Sequence, residues 1–213
     1  MSGARIVVAC MLALASVARG QTNPSPTTSQ WPPAVRERID RLADSARAIG
    51  LPAGPLYAKA AEGILKGADD ARIIDAVRRL TRELQDARTA LGVDASDAEL
   101  IAAAVVIHAG IDISSLHDLS AARDSRSQGA SLVMPLVVLS DLLARRVTPD
   151  VAVTSVSSLL RHGVRDAELT TLRRDVERDI SGGQLPDVAA RTRTDAVMGS
   201  LGPMVRARTR PPT

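Results

Sequence analysis

Apolar residues recur along this chain at helical spacing. Val35, Ile39, Leu42, Ala46 and Ile49 step by four and three, which lays one stripe along a helix. Ile73, Val77, Leu80, Leu84, Ala87 and Leu91 repeat the pattern, and Leu169, Leu172, Val176 and Ile180 repeat it again near the end. Arg, Asp and Glu fill the positions between, so each helix has one side for a core and one for water. Two segments differ. Leu100 to Ile107 and Leu132 to Leu143 are apolar nearly all round. A helix of that kind is expected to be buried on every side, so both are placed at the centre with amphipathic helices around them.

The turns repeat more plainly than the helices. Gly50-Leu51 is followed by Leu56, Gly67-Ala68 by Ile73, Gly110-Ile111 by Leu116 and Gly163-Val164 by Leu169, with Arg146-Val147 before Ala152 as a version without glycine. Glycine takes the left-handed position that ends a helix, and the residue after it packs on the first turn of the next helix. Asp69, Asp112 and Thr148 stand where N-caps are needed, and Pro149 follows at the first helical position. Arg165 fills the same place and is a poor cap. After Gly92 the connection is two residues longer, and Ser96-Asp97-Ala98-Glu99 reads as a capping box with Ala95 and Leu100 as the staple. Gly182-Gly183 is a helix stop. The segment from Glu62 aligns with that from Asp141, and the same offset pairs Ile73 with Ala152 and Val77 with Val156, as in a duplicated helical hairpin.

These patterns predict an all-α fold without a sheet, of about eight or nine helices, built as a compact multi-helix bundle or a short irregular α-solenoid of helical hairpins. Residues 34–183 form the helical domain, with halves at 34–125 and 131–183 and a flexible joint between them, and 184–201 a terminal helix. The Pro/Ser/Thr-rich stretch 21–33 reads as a disordered linker and 202–213 as a disordered tail.

The first twenty residues bear on location. Arg5 precedes an apolar run from Ile6 to Ala15, and Ala18-Arg19-Gly20 puts small residues at the cleavage positions before Gln21, the layout of a secretory signal peptide over 1–20. The run is too short for a bilayer core that needs about 20 residues, so no membrane span is expected in the mature chain. Val7-Val8-Ala9-Cys10 resembles a lipobox, which would attach lipid at Cys10, but only Ile6 to Ala9 precede the cysteine in the run. The preferred reading is a cleaved signal and a periplasmic or extracellular protein. Cys10 is the single cysteine, so the mature chain would hold no thiol or disulfide.

The formal net charge is +3, and without Arg5 and Arg19 the chain keeps 25 basic against 24 acidic residues, well interspersed. With Trp31 and Tyr57 its only aromatic residues, it lacks the basic stripe and stacking faces of a nucleic-acid binder. His108 and His162 stand in last turns, where a histidine meets the helix dipole, and His117-Asp118 point apart on a helix, so no metal site is expected. The acidic pairs Asp69-Asp70 and Asp94 with Asp97 suit helix starts, and Asp175 with Asp179 lies among Arg173, Arg174 and Arg178 on a solvated face. Neither G-x-S-x-G nor S-x-x-K occurs. No catalytic, cofactor-binding or metal-binding residues are therefore assigned, and no cofactor.

The stretch from Gly50 to Gly67 reads G-L-P-x-x-P-L-x-x-K-x-x-E-G-x-x-K-G, with Lys59, Glu62, Gly63, Lys66 and Gly67 in the pattern. It resembles an uncharacterised family of exported bacterial α-helical proteins with no known activity. The resemblance implies an envelope or secreted helical protein and no chemistry. Together these readings lead to an expectation of a non-enzymatic exported protein that binds another envelope protein or itself. The alternative is a small-ligand carrier or enzyme with an aliphatic cavity between central helices, for which His108 is the one ionisable candidate.

Overall fold

The computed structural model describes residues 31–124 and 130–207. The signal peptide expected over 1–20, residues 21–30 of the linker and most of the joint lie outside the described residues. Nine α-helices follow one another among the described residues, with no strand. They are α1 (Pro33–Ala48), α2 (Gly54–Leu65), α3 (Asp70–Leu91), α4 (Asp97–His108), α5 (Ile113–Asp124), α6 (Val133–Ala144), α7 (Pro149–Arg161), α8 (Asp166–Ser181) and α9 (Pro186–Ala207).

Helix ends follow the turn chemistry closely. Gly50, Gly67, Gly92, Gly110, Gly163 and Gly183 all adopt positive φ, and Arg146 is the one non-glycine residue among the described residues to do so, at 66°. At Gly50 the N–H donates to the Arg47 carbonyl at 3.0 Å and the next N–H, of Leu51, to the Ala46 carbonyl at 2.9 Å. The same pair of bonds recurs at Gly67, Gly110, Arg146, Gly163 and Gly183. Such paired bonds satisfy carbonyls that a helix end leaves open. The staple residues Leu56, Ile73, Leu116, Ala152 and Leu169 are all buried. Asp69 and Asp112 cap as expected, accepting from the N–H groups of Arg72 at 2.9 Å and Ser115 at 2.7 Å. Thr148 does not cap its own helix. Its N–H and hydroxyl both donate to the Asp187 carboxylate, at 2.8 and 3.0 Å, and so tie the start of α7 to the start of α9. Arg165 makes no side-chain cap, but its N–H donates to Glu168 at 2.9 Å, half of a capping box.

The structure divides into two compact units, one up to Gln85 and one from Asp86 onward. In the first, α1 packs on α2 and buries Val35, Ile39, Ala43 and Ala46. Gly63 of α2 lies so close to α3 that a Cβ there would stand 2.8 Å from Cγ1 of Ile73. In the second, α4 packs on α6 and α6 on α8, while α5 packs on α7 and α7 on α9. Contacts of α6 with α7 and of α8 with α9 join the two rows. Alternate helices thus stack as neighbours, the arrangement of stacked hairpins.

Three expectations need correction. The division falls inside α3 and not at the joint near residue 125, because α4 and α6 pack together from either side of that joint. Helix α1 opens at Pro33, inside the expected linker, and Trp31 before it is buried. Helix α9 runs through Gly202 to Ala207, since a formed helix extends at the gain of one hydrogen bond per added residue; the rest of the expected tail lies outside the described residues.

Candidate functional site

The histidines do not come together. His108, His117 and His162 are all exposed, His162 Nδ1 lying 2.8 Å from the Ser158 carbonyl oxygen and His117 Nδ1 4.0 Å from Asp118. Among the described residues no group of three or more His, Cys, Asp or Glu is placed to hold a metal ion. No helix there is long and apolar enough to cross a membrane. Asp175 pairs with Arg178 at 2.9 Å, whereas Asp179 forms a two-pronged bond to Arg193 at 2.6 and 2.7 Å, joining α8 to α9. The Arg193 bond holds the Asp179 carboxyl below its usual range, against a smaller opposing effect of burial.

The motif carboxylate Glu62 is half-buried between Lys59, at 3.0 Å, and Lys66. Burial pushes its carboxyl up, and the lysine bonds more than reverse that, leaving it below the ordinary value. All these partners are on α2 or immediately after it. Nearby, Tyr57 donates to Asp40 at 2.9 Å, the Arg47 guanidinium lies 5.7 Å from the Tyr57 ring centre, and the Trp31 ring is 6.3 Å away. The chain's two aromatic residues thus sit together, which nothing in their spacing announced.

A different carboxylate does more. Glu99 forms the expected capping box, its own N–H donating to the Ser96 hydroxyl at 3.3 Å and its Oε2 accepting the Ser96 N–H at 2.9 Å. Its Oε1 also accepts the N–H of Leu132, 33 residues away, at 2.7 Å, and faces Arg123 Nη1 at 3.5 Å. One carboxylate therefore holds the starts of α4 and α6 and the end of α5. Burial raises its pKa, and the bonds from Leu132 and Ser96 with the Arg123 charge outweigh it, so the group lies below the usual glutamate range.

Beside this junction lies a cavity of about 480 Å³ between the end of α5, the start of α6 and the α7–α8 turn. Pro135, Leu160, Val164 and Leu169 form its apolar wall, and Arg123, Arg165 and Asp166 bring charge of both signs to it. It is not the aliphatic cavity expected between central helices.

The faces of α4 and α6 also depart from expectation. Both bury one side, with Leu100, Ala103, Ala104 and Val106 on α4 and Leu136, Val138, Leu139 and Leu142 on α6. The other side is not closed: Ile101, Ala102 and Val105 on α4, and Val133, Met134 and Val137 on α6, are only half-buried. These six residues form the less buried, aliphatic side of the two helices. Comparisons with protein-family models, with curated proteins and with solved structures find no match for this chain.

Proposed function

We propose that this chain is an exported, non-enzymatic helical protein that works by protein–protein contact in the cell envelope, through the open aliphatic side of α4 and α6. The carrying observation is that side itself. Two neighbouring helices are apolar nearly all round, yet each keeps a half-buried aliphatic face, of Ile101, Ala102 and Val105 on α4 and of Val133, Met134 and Val137 on α6. Such faces on adjacent helices suit contact with another surface better than contact with water alone. Buried Glu99 and half-buried Asp141 on these helices are engaged in ties to other helices, which suits a scaffold. Export rests on the charge and apolar pattern of residues 1–20.

The test is in-cell crosslinking in the native host, with a C-terminal tag, affinity purification and mass spectrometry. The expected result is a reproducible envelope partner whose recovery is lost in Val105→Glu and Val137→Glu while helical content is kept. Recovery of no partner, or of one indifferent to both substitutions, overturns the reading. The cavity beside Arg123 supports a second reading, a small-ligand carrier. A thermal-shift screen that finds a stabilising ligand, lost in Leu169→Ala, would favour it.

A further inference from the structure

Every group bonded to the Glu99 carboxylate is a donor. Leu132 N–H and Arg123 Nη1 approach Oε1, while the N–H and the hydroxyl of Ser96 both donate to Oε2, the latter at 2.8 Å. The Ser96 hydroxyl oxygen in turn accepts the Glu99 N–H. A neutral carboxyl would bring its own O–H into this ring of donors, in a place where the residue is 7% exposed. Among the described side chains of α5, Arg123 is the charged group facing Glu99. On α5, His117 and Asp118 are exposed and face each other. Helix α6 meets Glu99 through the Leu132 N–H, and its one ionisable side chain, Asp141, is turned to Arg173 at 2.8 Å. On α4 itself Asp97 and His108 are exposed, and Arg88 at the end of α3 donates to the Val93 carbonyl.

We propose that Glu99 is an acid-operated latch: protonating its carboxyl releases the start of α6 and weakens the tie to Arg123, which keeps its bonds to Ser120 and Ala130, opening the start of α6 in the second unit while the apolar core around α7 holds. Helix α7 is held along its length by buried Val151, Ala152, Val156 and Leu159, and the Asp187 carboxylate meets it only at its exposed start, through Thr148. The bonds and the Arg123 charge keep the carboxyl ionised below the ordinary glutamate range. The latch is therefore shut at neutral pH and releases as pH falls through that lowered value.

The test is residue-resolved amide hydrogen exchange on the chain from Gln21 onward, corrected for intrinsic exchange at each pH. Between neutral pH and about pH 3, protection at Leu132 should fall about tenfold or more relative to Val156. Glu99→Gln should give the same pattern at neutral pH. If Leu132 keeps pace with Val156 throughout, or if all amides lose protection together in acid, the latch is overturned. Should Glu99→Gln fail to fold, the pH series of the unaltered chain decides alone.

Discussion

Glu62 on α2 and Glu99 on α4 are both shielded carboxylates held below the ordinary glutamate range, and they do different work. Glu62 stands in the most conspicuous motif of the chain, and its partners among the described residues are Lys59 and Lys66. Glu99 stands in an ordinary capping box and bonds Ser96, Leu132 and Arg123. A local ion pair on a helix surface adds little, because water and counter-ions serve its charges nearly as well in the unfolded chain. A buried carboxylate that supplies the acceptor for two helix starts has no such substitute when it is removed. The weight of a charged residue here follows from how far along the chain its partners lie.

The largest expected effect comes from removing the two carboxylates in turn. Glu99→Ala should lower stability by about 2–4 kcal/mol, since it strands the buried N–H of Leu132 and removes the acceptor that ties the starts of α4 and α6. Glu62→Ala should cost roughly 0.5 kcal/mol or less. Urea denaturation followed by circular dichroism measures both, and equal losses would erase the distinction. Acid sharpens the same contrast. A carboxylate with a lowered folded-state pKa contributes stability above the unfolded value, about 4.3 for glutamate, and that stability is lost as pH falls through the folded value. Glu99→Gln should therefore flatten the acid limb of stability against pH, and Glu62→Gln should leave it close to the unaltered curve.

Glycines of the two units offer a smaller test. In α2, Gly63→Ala should destabilise by about 1 kcal/mol, because crowding against Ile73 outweighs the gain in helix propensity. In α9 an added Cβ at Gly199 meets nothing within 4 Å, so Gly199→Ala should stabilise by roughly 0.5–1 kcal/mol. Opposite shifts in Tm are the expected outcome. The smallest effect belongs to the aligned turns after α2 and α6. Arg146 holds φ 66° where Gly67 holds the same angle without a side chain. Arg146→Gly should raise stability by about 0.5 kcal/mol, relief of strain exceeding the added freedom of the unfolded chain.

Much of the fold was legible because its signals are local. Turn glycines, Asp69, Asp112 and Ser96 act within a few residues of themselves, so the sequence located the helix ends and the all-α class. Even Arg146 was readable, from the Val147 and Ala152 spacing around it. The Thr148 cap was misread because its acceptor, Asp187, lies 39 residues away. Burial of α4 and α6 was overstated for a related reason. All-round apolarity says that a helix tolerates cover on each side, not that each side receives it.

By itself, then, the amino-acid order determined helix periodicity, left-handed turns and most caps, since each depends on neighbours within about one turn. Only tertiary structure decided which rows the helices form, that Glu99 serves Leu132 and Arg123, and that the aliphatic sides of α4 and α6 stay half-open. Those outcomes depend on contacts between residues distant in the chain, for which periodicity along one helix supplies a direction to face but no partner to meet.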